Sequence, residues 1–432
     1  MIEIVKRINE FIWGFPLITL IGITSIYLSI KFKFPQFKIF AALKEIFNND
    51  NKNDNNKNRI TSFKSLMTIL SGTIGTGNIT GVATAIVIGG VGSLFWLFIS
   101  GILVMVISYV ENLIVLKYRK KNNNGYFGGT MYILDEILGK RKLAIFFSIA
   151  LIITAITTGT MTQSNSLSTI VNTATRIDKK VIGLVISLIT MYIIFGGKRR
   201  LAKVSSIIIP ICSITYVILC IYIIYINRNN LISGIINVIN SAFNLKQVVG
   251  GITGISITRV IGRGFSIGMF SNEAGMGSTP IFTATVEEQD IDLQARIAAT
   301  SVIIDTLILC VLTGLTITST GLYYVTDVNI LLKKVFSMAP LGYILLNICI
   351  AFFVIGTIPC WEYYGEMAVK YVFKGNIYIY IFRILYVIGI YIGSILSLTL
   401  VWDLAGIFNG VMTLPNIYMI IKCCKESSIY IN

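Results

Sequence analysis

The chain has 432 residues, 55% of them hydrophobic and only 13% charged, where a soluble domain carries about a quarter charged residues. It holds 36 lysines and arginines against 20 acids, a formal net charge of +16, and no histidine. This is the composition of a polytopic membrane protein, and the lack of histidine excludes histidine zinc sites, H-E-x-x-H proteolysis and Ser-His or Cys-His nucleophile pairs.

A bilayer core requires apolar runs of about 20 residues. Such runs fall near 11–30, 66–90, 92–116, 143–172, 181–197, 203–226, 248–270, 296–321, 341–362, 377–397 and 401–421, about eleven spans. The first is expected to stay in the mature protein, because no small-residue cleavage site precedes the polar loop after it. With the N-terminus outside, the inside segments hold 24 Lys plus Arg and the outside segments 9, while Arg259, Arg263 and Arg383 fall within spans. The positive-inside rule therefore places the N-terminus outside and the C-terminus in the cytoplasm. The net charge is topology, and nucleic acid is not an expected partner. The seven cysteines contain no C-x-x-C and lie mostly inside spans, which predicts neither a disulfide framework nor a metal site.

In chain order, residues 1–65 give one helix and a basic cytoplasmic loop whose NNDNKNDNNKNR stretch at 48–59 is too polar to bury. The next span opens with SGTIGTGNITG, Ser71 to Gly81, with four glycines where lipid demands a regular helix. Glycine costs a helix about 1 kcal/mol relative to alanine, and irregular backbone at membrane depth survives only where it is buried in protein or lines a polar cavity. A break there releases amides at one half-helix N-terminus and carbonyls at the other half's C-terminus, partners for a carboxylate and a cation. Gly77-x-x-x-Gly81 is also a small-residue packing pattern. The segment GYFGGTMYILDEILG at 125–139 has helical spacing between basic flanks and is expected along the inner membrane surface. Glu111, close to KYRKK, is expected to pair at the cytoplasmic interface.

After span one, five spans from 66 to 226 and five from 248 to 421 remain, with a tail at 422–432. Each half opens with a glycine-interrupted span, the second at GRGFSIG, 262–268, followed by SNEAGMGSTP. An odd number of spans per half inverts the second relative to the first, and matched interruptions in inverted halves point to a transporter's binding site. The expected fold is an all-α polytopic membrane protein, one extra N-terminal helix plus a 5+5 inverted repeat. Glu273 and Asp305 lie within or at the edge of spans, where an unpaired charge costs at least about 2.5 to 3.5 kcal/mol; each must be structurally partnered or take part in ion or proton coupling.

GTGNITGVATAI at 75–86, GYFGGTMYIL at 125–134, GTMTQSNSLS at 159–168, FSNEAGMGSTP at 270–280, IDTLILC at 304–310 and WEYYGE at 361–366 resemble the alanine or glycine:cation symporter family across most of 66–420. The resemblance implies a leucine-transporter-like fold, a small neutral amino acid as substrate, sodium or less often a proton as coupling ion, no cofactor and no enzymatic activity. A monomeric transport unit is expected. The resemblance places Asn78 and Gln163 on the substrate's carboxylate or amino group, with Gly75, Thr76 and Gly77 beside them, Trp361 as the bulky wall, and Phe265, Ser266 and Phe270 from the second interrupted span. For sodium it implies the carbonyls of Ser71 and Ile74 with the Thr357 hydroxyl. Each has a plainer reading: an interhelical hydrogen bond for the amides, an interfacial anchor for Trp361, core packing for Phe265, Ser266 and Phe270. The chain departs from the family pattern at Gly356, where a serine is usual, at Pro359 and Cys360, where Leu-Gly is usual, and at Ile267, where an arginine is usual. One hydroxyl ligand is thus missing. The function expected is sodium-coupled symport of alanine or glycine by alternating access; the alternatives are a proton-coupled or uncoupled facilitator, or a channel.

Overall fold

The computed structural model describes residues 2–49, 62–123, 125–194, 197–243, 257–287 and 290–426. Among them the regular elements are helices, apart from one antiparallel hairpin, Lys120–Asn122 with Gly125–Phe127, in which Lys121 faces Tyr126. Eight helices among the described residues are long and apolar enough to cross a membrane: Glu3–Lys31, Ser93–Tyr118, Arg141–Thr175, Ile207–Ile226, Ile291–Ser319, Gly342–Val372, Asn376–Ile395 and Leu398–Lys425. The three expected spans outside that set are the broken pair Ser62–Thr73 and Thr80–Gly89, Lys179–Ile194, and Ile257–Asn272. Residues 248–256 of the last span, and most of the polar loop at 48–59, lie outside the described residues.

Lipid-facing surface is visible in the residue pattern. Ile207, Ile211, Ile214, Ile218 and Ile221 follow one another at helical spacing, and each is more than half exposed, an apolar stripe on the outside of the described bundle. Three helices fall in segments read as loops. Gln36–Asn49 packs on Ile291–Val302 through the buried Ile39 and Ala42. Arg228–Phe243 docks on Ser93–Tyr118, where Trp96 Nε1 donates to the Ala242 carbonyl at 3.2 Å and Phe95 meets Phe243 edge-on at 5.0 Å. Val328–Phe336 starts at Asp327, whose carboxylate accepts the Asn329 and Ile330 amides at 2.9 Å each, the usual satisfaction of a helix's first N–H groups.

The segment at 125–139 packs one side against the bundle and leaves Glu136 and Ile137 exposed on the other. After the hairpin it winds through Thr130–Tyr132 and a π segment, Ile133–Ile137, with Thr130, Met131 and Leu134 fully buried.

The interruption in the second half is not at GRGFSIG. Helix Ile257–Asn272 runs unbroken through Gly262, Gly264 and Gly268, and the chain breaks after Asn272. Those glycines are notches. A Cβ at Gly264 would stand 2.5 Å from the Ser93 carbonyl oxygen, and one at Gly268 would stand 2.1 Å from Ser100 Oγ, so the helix lies directly on Ser93–Tyr118. Gly264→Val is therefore expected to lower the apparent melting temperature in detergent, since overpacking against backbone costs about 1–3 kcal/mol or more. Gly22→Ala, where nothing lies within 4 Å, is the control that leaves it unchanged.

Candidate functional site

The first broken segment is built as its glycines suggest. Helix Ser62–Thr73 ends with the Ile74 amide on the Leu70 carbonyl at 2.7 Å. A short 3-10 turn, Thr76–Asn78, follows, and a regular helix resumes at Thr80. Side chains take over the released amides. Asn78 Oδ1 accepts the Gly75 amide at 3.0 Å, and Gln163 Oε1 accepts the Thr76 amide at 3.0 Å and the Thr76 hydroxyl at 3.1 Å. On the other side of the break the Ile74 carbonyl accepts from Thr357 Oγ1 at 3.0 Å, and the same hydroxyl reaches the Phe353 carbonyl at 2.9 Å. One break thus joins two amide-bearing side chains to a cluster of hard oxygens.

The glycines divide between roles. A Cβ on Gly75 would sit 2.8 Å from Gln163 Oε1 and 3.0 Å from Thr357 Oγ1, so its bare edge faces the polar cluster. Gly77 and Gly81 instead make room for aromatic rings, Phe270 at 3.0 Å and Trp402 at 2.9 Å from the same construction, and those rings lean on each other with centroids 4.7 Å apart. Packing and break coexist in one stretch.

Asn78 is held from behind. Its Nδ2 donates to Asp305 Oδ1 at 2.7 Å and to the Asp305 carbonyl at 3.1 Å. Asp305 Oδ2 accepts from Ser271 Oγ at 2.5 Å and Thr306 Oγ1 at 3.0 Å, and Ser271 also meets Cys310 Sγ at 3.0 Å. Asp305 is fully buried, and no Lys or Arg among the described residues pairs with it. It stands in a π segment, Ile303–Cys310, and Gly159, one turn before Gln163, stands in another, Ala155–Met161; π segments carry one residue more per turn than an α-helix and recur at functional sites. Ser271, Thr306 and Cys310 were not singled out from the sequence; the IDT and FSN triplets around Asp305 and Ser271 are the signal that could have found them.

Trp361 is fully buried, not an interfacial anchor. Its Cβ lies 2.4 Å from where a Gly159 Cβ would be, and its ring meets Tyr364 edge-on at 5.7 Å. Asn78, Gly75, Thr76, Gly77, Gln163, Thr357 and Phe270 come together around the break, with Trp361 one turn beyond Thr357. Phe265 and Ser266 do not join them: Phe265 leans on Trp96 with ring centroids 6.4 Å apart, and Ser266 lines a separate cavity. Ser71 is fully buried, and its hydroxyl stands beside the Cys360 thiol, 2.5 Å from where a Gly356 Cβ would be.

The second break holds Glu273, Gly275 and Gly277 at positive φ of 56°, 80° and 77°. Glu111, expected at the cytoplasmic interface, is instead fully buried here: its carboxylate accepts the Gly275 amide at 3.0 Å and Asn416 Nδ2 at 2.7 Å. Glu273 accepts from Ser278 Oγ at 2.7 Å.

Comparison with known proteins agrees with this architecture. The chain is 33% identical over 429 residues to the sodium/alanine symporter AgcS of Methanococcus maripaludis, covering 96% of this chain and 93% of that one. It is 34% identical to an uncharacterized transporter of Haemophilus influenzae, over 98% and 94% of the two chains. It is 30% identical to the probable sodium/glutamine symporter GlnT of Bacillus subtilis, over 98% and 88%. The crystal structure of MhsT in complex with L-phenylalanine superposes with a TM-score of 0.64 at 13% identity, over 84% of this chain and 89% of that one, and this likeness shows the leucine-transporter-type fold. The sodium:alanine symporter family pattern matches residues 1–430. Broken helices, spans and family pattern run the length of one multi-pass chain, which belongs to the sodium:alanine symporter family and is an amino acid transporter, not an enzyme.

Proposed function

We propose that this protein carries a small neutral amino acid, alanine or glycine, into the cell together with sodium, by alternating access, with its N-terminus outside and its C-terminus in the cytoplasm. The observation that carries this reading is the break at Ile74–Gly75. Its amide side, with Gly75, Thr76, Gly77, Asn78 and Gln163, suits a zwitterion's carboxylate and ammonium. Its carbonyl side, with Ser71, Ile74 and Thr357, offers the hard oxygens that sodium prefers. Trp361 and Phe270 wall the space and favour a short side chain, and the two halves, 66–226 and 248–421, rock about it. Sodium on the carbonyls steadies the break so that the substrate binds better, and the substrate must then strengthen sodium binding by the same factor. Asp305, a buried carboxylate directly behind Asn78 with no basic partner among the described residues, favours a cation-coupled cycle over an uncoupled facilitator. The sodium/alanine and sodium/glutamine symporters among the relatives support sodium as the coupling ion.

The test is radiolabelled alanine uptake into proteoliposomes under an inward sodium gradient, with potassium in place of sodium as the control. Concentrative uptake that needs the gradient, and falls to background in Asn78→Ala, is the expected result. Uptake that only equilibrates and ignores sodium would overturn the symport reading.

A further inference from the structure

A groove of about 410 Å³ opens between the ends of three helices, Arg141–Thr175, Val328–Phe336 and Gly342–Val372, and no residue of either break lines it. Val171 and Thr175 form one wall, Tyr343, Ile348 and Ala351 the other, and Lys333 borders it from the short helix. The walls are tied where the Tyr343 hydroxyl donates to the Ile170 carbonyl at 3.4 Å.

The groove changes character along its length. From Gly342 to Ala351 the helix rises about 13 Å at 1.5 Å per residue, close to the half-thickness of about 15 Å of a bilayer's hydrocarbon core. Ile344 and Ile348, 57% and 46% exposed, share a helix face with Ala351, so the inner end is continuous with lipid-facing surface. The outer end is basic. Of the nine Lys and Arg that the topology assigns to the outside, five fall in the two stretches bordering the groove, 171–180 and 327–343, against two acidic residues. Lys333 itself is exposed, with no carboxylate in ion-pair contact among the described residues.

A free amino acid does not match that gradient, since its charges sit within a few bonds of each other and leave the apolar end unfilled. A phospholipid does. Its acyl chain has the reach of one leaflet, and an anionic headgroup meets lysine where the groove opens to the interface. We propose that the groove is a binding site for an anionic phospholipid of the adjoining leaflet, the outer one on the topology given above, with its phosphate against Lys333 and one acyl chain along Ile348 and Ala351. Seated there, the lipid braces the ends of the two helices that carry Gln163 and Thr357 against the helix Val328–Phe336.

The test is a native mass spectrometry titration of the full-length protein in mild detergent with phosphatidylglycerol and, separately, phosphatidylcholine. Wild type is expected to hold one phosphatidylglycerol in preference to phosphatidylcholine. Lys333→Gln is expected to bind it about fivefold more weakly, the worth of one lysine beside an anionic headgroup. Lys334→Gln, the exposed neighbour outside the groove, is expected to bind as wild type does. Ala351→Phe fills the inner end and is expected to lose the bound lipid of either class. Equal binding of the two lipids by wild type, or Lys334→Gln weakened as much as Lys333→Gln, would reduce the effect to a general pull of surface charge and overturn the site. Phosphatidylglycerol held by Ala351→Phe as by wild type would overturn the seat of the acyl chain; if that variant does not fold, the comparison at the two exposed lysines decides alone. Because lipid is counted and not the transported amino acid, the result stands apart from the substrate and ion proposed above.

Discussion

Asp305→Ala is expected to cut the initial rate of sodium-driven uptake by at least about a hundredfold. The carboxylate is the common acceptor for Asn78 Nδ2, Ser271 Oγ and Thr306 Oγ1, and its removal strands three buried donors, each at a cost of about 1–3 kcal/mol. The loss is transmitted to the break, because the amide whose Nδ2 rests on Asp305 presents its Oδ1 to the Gly75 N–H at 3.0 Å. Asp305→Asn keeps the volume but turns an amide NH₂ toward groups that already donate, so it is expected to lose most of the activity as well. Binding assays separate the two consequences: if Asp305 positions Asn78, alanine affinity falls along with rate. If uptake by Asp305→Ala, corrected for the amount of folded protein, stays within about threefold of wild type, the carboxylate neither positions the pocket nor takes part in coupling.

A reciprocal pair of substitutions at 71 and 356 should give the second-largest effect, a loss in the single variant and a recovery in the double. Gly356 stands where the family pattern carries a serine, and Ser71 Oγ fills the space that such a serine would need, 2.5 Å from the added Cβ. Gly356→Ser alone therefore crowds the Ser71 hydroxyl beside the break, and is expected to raise the sodium concentration for half-maximal uptake by about tenfold, the equivalent of one well-made hydrogen bond. Ser71→Ala/Gly356→Ser clears the space and returns a hydroxyl beside Thr357, so its sodium dependence should recover to within about threefold of wild type. A double variant no better than Gly356→Ser would show that the two positions do not share one space. Uptake that ignores sodium in every variant, wild type included, would instead remove the ion site itself.

The first break was legible because four glycines, three threonines and an asparagine in eleven residues have no use in a lipid-facing helix. The second was misplaced for a physical reason. Gly262, Gly264 and Gly268 read as breakers, but in a tightly packed bundle a glycine equally serves as a notch, and sequence spacing alone does not separate the two. The actual break, from Glu273 to Gly277, needs three residues at positive φ, and only two of them are glycines. The helix Val328–Phe336 could have been found, since Asp327 is a good cap and residues 328, 331, 332, 335 and 336 are apolar at helical spacing; its short length hid it beside the membrane spans. Glu111 was misread because its proximity in sequence to KYRKK suggested ion pairing, whereas its partners come from 164 and 305 residues away. Partnerships of that kind are properties of the packed bundle. Asn78, Gln163 and Thr357 stand on three separate segments and meet only because the break brings its amides and carbonyls to one place.

Two of the three π segments among the described residues, Ala155–Met161 and Ile303–Cys310, give the molecule a way to move that sliding helices do not. Each holds one surplus residue within its turn. Shifting that surplus along the chain by one position rotates the residues it passes by roughly 100° about the helix axis while both ends stay anchored. Gln163 lies just past the first segment and Asp305 inside the second, so the two supports of the broken segment can be swung toward or away from it like the bits of a key. For a carrier that must grip its cargo on one side of a membrane and release it on the other, such a shift would be a local, low-travel release.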